Sequence, residues 1–599
     1  MYKAKWNGED NIVELRYSLE KDEPQVSPRP VFFEELDILG FDKFWKYPKS
    51  KEPLLWANNR DYYYKGVKVA KAKGGNIYEK PEIIITPEGE NLELQPIDVQ
   101  KLIDKNKKAL FVIENEALDF IEKTFKSYKP NIKTLRNKTA NEKKPKRSKI
   151  DFFTVAFSGG KDSQVVLDLV SRVIPSEYYK VVYSDTEMEL PSSIEIFEKT
   201  KTLYQEKYPK LQFYIAKNDT PTIEYWKKFG PPGRTNRWCC TVTKTVPFNI
   251  LLKKLNGGTK PPRVLVFEGA RREESIKRST YERIAKGAKH SSNINVSPIL
   301  DWSITEVWLY LFLRNLPINK SYRNGLTRVG CTVCPFSTGW SEFFIHKTYP
   351  EVTEKYFSLI YEQTKKNGIK DIDSYIKDGN WKKRTGGESL IEDDSRVDFI
   401  TQKPDFKAVL SKPKEDLLQW MKTLGNVIYD EEKGIGEIKV RENHYKFTFK
   451  EEKGKKIFEI KDIVQNPTQI SKLKSVLYKT TYCVHCDACQ VECPTGALAT
   501  SPKVQIDSEL CTHCGNCLTF ASKGCLVARS KHKSEGASMS KKKALGLHTY
   551  FTFGLREMWL ESFLNHHNNW FEIDNQLGTK QVPAMIIVSF SIGSNIIGV

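Results

Sequence analysis

The chain has 599 residues and a formal net charge of +20, from 95 basic and 75 acidic side chains. A single hydrophobic core stops growing near ~250–300 residues, so the length excludes a one-domain fold and predicts several domains. The first 21 residues are polar and mixed in charge, which excludes a secretory signal there and predicts a cytoplasmic protein whose positive charge suits anionic partners.

An accessory region is predicted at residues 1–130, followed by a basic linker at residues 131–150. Within this linker, Lys133–Lys149 contains eight basic residues and one acidic residue. Such a run is either a solvated connection between domains or a contact surface for nucleic acid, and both interpretations stay open.

The first motif that points to chemistry is the stretch DFFTVAFSGGKDS at residues 151–163. A short apolar strand leads into a glycine turn and then into a segment whose apolar residues recur at helical spacing. The glycines let the backbone approach an anion closely, and the N–H groups at a helix start point at phosphate. We predict that an adenylyl nucleotide binds to Ser158, Gly159, Gly160, Lys161, Asp162 and Ser163.

Predicted strands and helices alternate after this loop. The strands are Tyr179–Glu187, Leu211–Lys217 and Arg263–Ser275, and the helices are Ser192–Tyr208 and Thr222–Phe229. This alternation predicts an α/β fold with a mostly parallel sheet, helices on both faces and ligands at the carboxyl ends of the strands. The candidate nucleotide-binding residues at those ends are Asp185, Gly269, Arg271, Glu274 and Ser275.

Some of these side chains are also candidates for catalysis. Arginine holds phosphate or sulfate oxygens through planar, bidentate contacts, which favours Arg271 over Arg272 and Arg278 because of its place in the pattern G-x-R-x2-E-S. The predicted catalytic residues, which would act on ATP or on a sulfonucleotide with Mg²⁺, are Lys161, Asp162, Asp185 and Arg271.

Two cysteine pairs stand about ninety residues apart in the same region. Cys239 and Cys240 are adjacent in the stretch RWCC, and Cys331 and Cys334 form a C-x2-C in GCTVCPF. Only the fold can bring the two pairs into one centre. An iron–sulfur cluster, a zinc ion and redox-active pairs all stay open as interpretations of these four thiols.

The next part of the chain carries less information. We predict a helical extension at residues 346–402 and a small α+β adaptor at residues 403–475. The adaptor contains a short helix, KEDLLQWMKTLG, and hairpin-like strands such as GEIKVRENHYKFTF.

Residues 476–530 contain two cysteine-rich runs, CVHCDACQVECP and CTHCGNCLTFASKGC. Four thiolates are what a cubane iron–sulfur cluster needs, one for each iron, and the first run is similar to that of a bacterial two-cluster ferredoxin, a small α+β domain. Structural zinc is the alternative. In such runs the fourth cysteine usually ligates the other cluster, so we pair Cys483, Cys486 and Cys489 with Cys525, and Cys511, Cys514 and Cys517 with Cys493. His485 and His513 lie between these thiols, and we expect neither to be a ligand.

The last segment, residues 531–599, is predicted to be a separate element of unknown function. Its final stretch, Val582–Val599, is apolar but contains Pro, Ser and Asn residues, so we expect a buried helix or strand there and no membrane span.

Taken together, SGGKDS, Asp185-Thr186, RWCCTVTKTVPF, GARREES and GCTVCPF make residues ~150–340 similar to the phosphoadenosine phosphosulfate (PAPS) reductase family. The loop SGGKDS resembles the PP-loop of the ATP-pyrophosphatase group, which implies an adenine nucleotide alpha hydrolase-like domain. Adenylylsulfate (APS) reductases bind one [4Fe-4S] cluster through a similar Cys-Cys pair and later C-x2-C. The resemblance therefore implies three [4Fe-4S] clusters, the upstream one on Cys239, Cys240, Cys331 and Cys334. The wider layout resembles reductase-like/ferredoxin fusions of archaea and bacteria.

The family name leaves one chemical problem. PAPS and APS reductases need a free, activated cysteine that attacks sulfur, but all twelve cysteines of this chain are assigned as cluster ligands. We therefore expect an ATP-dependent sulfur transferase whose ferredoxin domain supplies electrons. The sulfurtransferase of DNA phosphorothioation systems belongs to the same family.

That resemblance implies several partners: a nucleic acid acceptor such as DNA, a sulfur donor such as a cysteine desulfurase and an external electron donor. No membrane partner is expected. Two alternatives stay open. One is a PAPS or APS reductase of sulfur assimilation, and the other is an electron-transfer or interaction protein without catalysis.

Overall fold

The structure is a computed structural model, and it describes residues 2–18, 26–128, 150–258, 261–287, 290–384, 395–402, 404–463, 466–518, 589–592 and 595–598. The chain divides into two compact units, Met1–His532 and Lys533–Val599. The predicted basic linker and Cys525 lie outside the described residues, as does most of the tail. In the second unit, strands Ser589–Ile592 and Asn595–Gly598 form an antiparallel pair.

The N-terminal part is built from two antiparallel sheets and two helices. The strands are β1 (Tyr2–Asn7), β2 (Ile12–Tyr17), β3 (Arg29–Val31), β4 (Leu55–Asn58), β5 (Asp61–Tyr64), β6 (Val67–Lys73) and β7 (Glu82–Ile85). β1 and β2 form a hairpin, and β3 to β7 form a five-stranded sheet in chain order. Helix α1 (Phe33–Leu39) lies between β3 and β4, and the long helix α2 (Val99–Tyr128) follows β7. The apolar positions Leu102, Ala109, Leu110, Ala117 and Ile121 recur at helical spacing and are buried, which explains why α2 packs against β2 and the next domain.

The central domain confirms the predicted α/β fold. Its strands are β8 (Phe152–Phe157), β9 (Tyr179–Ser184), β10 (Gln212–Ala216), β11 (Val264–Phe267), β12 (Ile284–Lys286) and β13 (Asn293–Val296). They form one six-stranded sheet in the order β10-β9-β8-β11-β13-β12, in which every pair is parallel except β12 with β13. Two predicted strands are shorter than expected, because β9 ends before Asp185 and β11 ends before Gly269, where both chains turn into loops.

The helices of this domain are α3 (Lys161–Val173), α4 (Pro191–Lys207), α5 (Thr222–Phe229), α6 (Val246–Leu255), α7 (Ile276–Ser279), α8 (Ile304–Leu313) and α9 (Lys320–Arg323). Side chains alternate between the two faces of a strand. Leu265 and Phe267 of β11 pack with α3, α4 and α8, whereas Val264 and Val266 pack with Leu252 of α6. Helices therefore cover both faces of the sheet, as predicted.

Three helices follow, α10 (Gly339–Thr348), α11 (Pro350–Lys366) and α12 (Ile372–Lys377), and then a second six-stranded sheet. Its strands, all antiparallel, are β14 (Arg396–Gln402), β15 (Asp405–Ser411), β16 (Asn426–Asp430), β17 (Ile435–Val440), β18 (Asn443–Glu452) and β19 (Lys455–Ile460), in the order β14-β15-β19-β18-β17-β16. This sheet begins at Arg396, within the segment predicted as a helical extension, because β14 pairs along its whole length with β15.

The cysteine-rich module follows this second sheet. Its elements are α14 (Pro467–Tyr482), α15 (Ala488–Val491), β20 (Leu498–Ala499) and β21 (Gln505–Ile506). Helix α13 (Leu417–Met421), which lies between β15 and β16 in the chain, packs against α14 and β21. One hydrophobic core joins these elements to the second sheet and to α5 of the central domain. Among the helices that the structure describes, none has the length and apolarity to cross a membrane.

Candidate functional site

The phosphate loop, Ser158–Ser163, connects β8 to α3. Gly159 has φ +71, and a Cβ on it would lie 2.9 Å from the Ser193 carbonyl oxygen, so glycine is required for the turn and for the close packing. The Ser163 hydroxyl donates to the Gly160 carbonyl at 2.8 Å and accepts the Ser158 backbone N–H at 3.2 Å. These bonds hold the loop closed at the start of α3.

A buried ionic cluster stands at the same helix start. The Asp162 carboxylate accepts from Lys161 Nζ at 2.9 Å and from Arg271 Nε at 2.6 Å. Burial alone would raise the pKa of Asp162, but the charges of Lys161 and Arg271 and their hydrogen bonds lower it to about 2. Lys161 and Arg271 are 5% and 3% exposed, so two cations share this buried carboxylate. Arg271 Nη1 also pairs with Glu273 at 2.7 Å, so two carboxylates balance the two cations of the cluster. Lys161 and Arg271 remain the cationic groups that suit phosphate oxygens.

Gly269 explains how Arg271 reaches this cluster. A Cβ on Gly269 would lie 2.6 Å from the Asp162 carbonyl carbon, so only glycine lets the β11 loop pass over α3. Beyond it, Glu274 accepts the Arg271 backbone N–H at 3.0 Å, and the Ser275 hydroxyl caps α7. The structure thus brings Arg271 to the phosphate loop and uses Glu274 and Ser275 to shape the loop that carries it.

The other predicted anion ligands lie in different surroundings. Arg272 pairs with the exposed Asp301 at 2.6 Å, on the surface. Arg278 pairs with Glu274 and is partly buried, and burial together with the charge of Arg328 lowers its pKa. An anion placed between Arg278 and Arg328 would relieve that repulsion.

Asp185 follows β9, as predicted, but its contacts are with neighbouring residues. Its carboxylate accepts the Glu187 backbone N–H at 2.8 Å and lies 3.5 Å from Lys217 Nζ. Lys217 also pairs with Glu187 at 3.0 Å. Asp185 therefore belongs to the loop that leads to Glu189 and the upstream cysteines.

The fold gathers the four upstream cysteines into one centre. Cys239 and Cys240 stand at the start of a π-helix, Cys240–Thr245, and Cys331 forms a backbone bridge with Glu189. The neighbouring Cys239 thiol lowers the pKa of Cys240 to about 5, and the charges of Arg237 and Lys244 lower it further, against the rise that burial causes. The Cys240 thiol and burial raise the pKa of Cys239, and the charges of Cys331 and Cys334 raise it further. Four cysteines in one neighbourhood are the number of thiolates that a cubane cluster uses.

Polar residues that the sequence analysis did not single out surround this centre. Glu189 accepts from Lys244 Nζ and from the Thr186 hydroxyl, both at 3.0 Å, and lies 3.7 Å from the Cys331 sulfur. Arg237 Nη2 lies 3.4 Å from the Cys240 sulfur. Lys244 and Arg237 lie within the stretch RWCCTVTK, so their closeness to the cysteine pair was the signal that could have identified them.

The C-terminal module brings one predicted set of ligands together and shows part of the other. Cys493, Cys511, Cys514 and Cys517 line a single pocket, as their predicted pairing requires. Cys483 and Cys486 lie between α14 and α15, Cys489 lies in α15, and their predicted partner, Cys525, is outside the described residues. The turns between thiols are tight, because His485, Asp487 and His513 have φ of 54, 56 and 51.

His485, which the sequence analysis predicted not to be a ligand, contacts Glu415 and Thr500. Its Nε2 lies 2.9 Å from Glu415 Oε1, and its Nδ1 donates to the Thr500 carbonyl. One donor atom each from Glu415, Cys483 and His485 lie within 4.8 Å of one another. These three residues are therefore an alternative donor set for a metal such as zinc.

The module is fixed to the central domain through α15. His290 is 1% exposed, and its Nε2 donates to the Val491 carbonyl at 2.7 Å. Its Nδ1 lies 2.7 Å from the Ser292 hydroxyl and accepts the Ser292 backbone N–H. Helix α15 also packs on α6. Burial raises the pKa of the Tyr225 hydroxyl in α5, and the charge of the nearby Cys486 raises it further.

Comparison with known proteins identifies the family to which the central domain is similar. Residues 152–337 match the phosphoadenosine phosphosulfate reductase domain. An adenosine 5'-phosphosulfate reductase of Geobacillus kaustophilus is 32% identical over 187 residues, which cover 31% of this chain and 73% of the relative. An uncharacterized protein of Methanocaldococcus jannaschii is 30% identical over 314 residues, which cover 52% of this chain and 68% of the relative.

Solved structures give a weaker comparison. The phosphoadenylyl-sulfate reductase of Candida auris aligns with 30% of this chain and 81% of its own length, at 21% identity and a TM-score of 0.24. This score carries no argument about function. The sequence relatives therefore confirm the predicted resemblance of residues ~150–340, whereas the likeness to ferredoxins and to the phosphorothioation sulfurtransferase stays a prediction.

Proposed function

Because the chain belongs to the phosphoadenosine phosphosulfate reductase family, we propose that it is an enzyme of sulfur metabolism that binds ATP at Ser158–Ser163 and transfers sulfur with the help of the upstream cysteine centre. One observation carries the proposal. Each of the eleven cysteines that the structure describes lies in the upstream centre or in the C-terminal module. This placement leaves no separate thiol, among the described residues, to serve as the nucleophile of a sulfonucleotide reductase.

The phosphate loop supplies the groups that bind the nucleotide. Backbone N–H groups at the start of α3, with Lys161 and Arg271, receive the phosphates. Asp162 orients both cations, since its carboxylate already holds them. A bound Mg²⁺ takes oxygen ligands from carboxylates and phosphates. Asp185 suits it better than Asp162, because its one cation neighbour is the half-exposed Lys217.

The donor sets fit the proposed iron–sulfur clusters. Cys493, Cys511, Cys514 and Cys517 face one pocket, and Cys239, Cys240, Cys331 and Cys334 act on one another electrostatically. Cys483, Cys486 and Cys489 would hold a third cluster with Cys525. When bound, such clusters supply one-electron transfer. The chain's own contribution is to bring the thiols together and to place Lys244 and Arg237 beside the upstream set.

The position of the C-terminal module supports its proposed role as an electron supply. His290 and α6 hold α15 against the central domain. Tyr225 of α5 is close enough to Cys486 to feel its charge, and its ring lies 6.2 Å from the ring of Phe229. Phe229 of α5 stacks on Trp238 at 4.8 Å, directly before Cys239. A packed path of side chains thus runs from the module to the upstream centre, while Cys514 is exposed and accessible to an external electron donor.

The acceptor is proposed to be a polyanion, such as DNA or another nucleic acid, and the sulfur donor a protein such as a cysteine desulfurase. The formal charge of +20 supports an anionic acceptor. The second candidate function is sulfonucleotide reduction, which the reductase of Geobacillus kaustophilus favours by its similarity to this chain. A purely electron-transferring protein is a third candidate, and the buried cluster of Lys161, Asp162 and Arg271 speaks against it.

Two assays on anaerobically purified protein test the proposal. ATP–pyrophosphate exchange, measured with the acceptor and without it, reports adenylation, and sulfite release from PAPS and APS reports reduction. We expect exchange without sulfite release, and loss of exchange in Lys161→Ala. Lys201→Ala, which changes an exposed lysine of α4, is the matched control and should behave as the unchanged protein. Sulfite release that persists in Lys161→Ala would contradict ATP-dependent transfer.

A further inference from the structure

One short segment, residues 319–334, contacts both halves of the proposed site. At its start, the Asn319 side-chain amide donates to the Gly159 carbonyl at 2.9 Å. At its end, Cys331 lies beside Glu189, and the Thr332 backbone N–H donates to the Met188 carbonyl at 2.7 Å. In between, Arg323 anchors the segment to the N-terminal part through Glu34 at 2.6 Å. The segment therefore has direct contacts with both halves of the proposed site.

Tyr322 makes the closest contact between the segment and the phosphate loop. Its hydroxyl accepts the backbone N–H of Lys161 at 3.1 Å, and Lys161 Nζ lies 5.2 Å from the centre of its ring. The ring is held edge-on against Trp308 at 5.5 Å, and the side chain is 3% exposed. The first N–H groups of a helix have no partner within the helix and are the groups that bind phosphate. The hydroxyl thus takes the position of a phosphate oxygen at the start of α3.

The same hydroxyl faces the residues that lead to Cys331. A Cβ on Gly160 would lie 3.2 Å from the Tyr322 hydroxyl and 4.0 Å from the Val329 Cβ, so Val329 also rests on the loop. The Val329 backbone is directed at the Tyr322 oxygen as well. Val329 stands two residues before Cys331. A single buried oxygen therefore joins the phosphate loop to the segment that carries an upstream cysteine.

We propose that Tyr322 is a positioning residue that couples occupancy of the phosphate loop to the segment that carries Cys331 and Cys334. This inference rests on the proposed binding of a nucleotide at Ser158–Ser163. A phosphate oxygen that takes the Lys161 N–H displaces the hydroxyl, whose own proton then donates to that oxygen. Hydrogen bonds are exchanged and no covalent bond changes. The displaced hydroxyl releases Val329, and the cysteine segment adjusts while Arg323 holds the other side.

Hydrogen–deuterium exchange of the full chain tests this coupling. Peptides that cover residues 160–165 and 326–334 are followed with and without a non-hydrolysable ATP analogue. The key variant is Tyr322→Phe, which keeps the ring against Trp308 and removes the oxygen. The matched control is Tyr349→Phe, which removes a hydroxyl that lies 3.4 Å from the neighbouring Ser321 and does not contact the phosphate loop.

In the unchanged protein and in Tyr349→Phe, we expect the analogue to change exchange in both peptides, by roughly 5-fold or more at 326–334. In Tyr322→Phe, the response at 160–165 should remain and the response at 326–334 should disappear. Without nucleotide, Tyr322→Phe should already exchange faster in both peptides. A response at 326–334 that survives in Tyr322→Phe would overturn the proposal, as would unchanged exchange in the free variant. If the analogue alters neither peptide of the unchanged protein, the proposed nucleotide site itself is wrong. The comparison of Tyr322→Phe with the unchanged protein, both without nucleotide, then still tests whether Tyr322 links the two segments.

Discussion

The two cysteine-bearing regions of this protein are built in opposite ways. The upstream centre draws Cys239 and Cys331 from segments about ninety residues apart. Its partner Lys244 lies in the π-helix that follows Cys239, and its partner Glu189 lies in the loop after β9. The C-terminal module places Cys511, Cys514 and Cys517 within seven residues, on turns such as that of His513. A centre of the first kind depends on the packed core around it, whereas a centre of the second kind would depend on the metal that we propose for it.

Removal of iron should separate the two regions most strongly. Metal binding energy is folding energy where loops alone hold a site, so chelation is expected to unfold the module and to leave the central domain folded. Limited proteolysis followed by mass spectrometry would show cuts within residues 476–518 and protection of residues 152–258. Equal resistance of both regions after iron and sulfide are lost would show that the module does not depend on metal.

The ionic cluster at the phosphate loop should give the largest effect of a single substitution. Asp162→Ala leaves Lys161 and Arg271 buried without their shared carboxylate, which should cost about 3–5 kcal/mol of the free energy of unfolding. Asp301→Ala removes the exposed partner of the adjacent Arg272 and should cost less than about 1 kcal/mol. Denaturant titration of both variants measures the difference, and equal costs would mean that the phosphate loop is not held by Asp162.

Acid should weaken the same cluster. The folded pKa of Asp162, about 2, lies below the ordinary 3.8, so its stabilisation is fully present above about pH 4 and is lost as the pH falls towards 2. The shift corresponds to about 2 kcal/mol. Unfolding experiments between pH 5 and 2 should show a weaker pH dependence for Asp162→Asn than for the unchanged protein. An identical dependence would place the acid-sensitive groups elsewhere.

The contact between the regions should give the smallest effect. His290→Ala removes the buried donor to the Val491 carbonyl and should lower the stability of the docked module by about 1.5 kcal/mol. His290→Gln, which can still donate, should restore part of the loss. His444→Ala, which removes an exposed histidine paired with Glu437, is the control and should change stability by less than about 0.5 kcal/mol. Amide exchange of α15 reports docking of the module. Equal exchange in His290→Ala and His444→Ala would show that His290 does not hold the module on the central domain.

The sequence predicted the features that local patterns specify. Alternating apolar strands and helices were sufficient for the parallel sheet, and the glycine turn was sufficient for the position of the phosphate loop between β8 and α3. The structure places Cys493 in one pocket with Cys511, Cys514 and Cys517, and their pairing as ligands of one cluster stays a prediction.

Features made by distant residues were not predictable. Tyr322 lies 161 residues from Lys161 in the chain, and His290 lies 201 residues from Val491. No local sequence pattern predicts either contact. Arg271 was predicted as a phosphate ligand, but its bonds to Asp162 and Glu273 depend on the close passage of Gly269 over α3. The start of the second sheet at Arg396 was missed because β14 is defined by its pairing with β15.

The central claim is that the phosphate loop and the upstream cysteine centre form one functional site. The most direct measurement is an anaerobic titration of the purified protein with a non-hydrolysable ATP analogue, followed by electron paramagnetic resonance and visible absorption. We predict that nucleotide changes the part of the spectrum that Cys331→Ser removes, and that Lys161→Ala abolishes the change. Stoichiometric binding of the analogue with no change in that part of the spectrum would contradict the account.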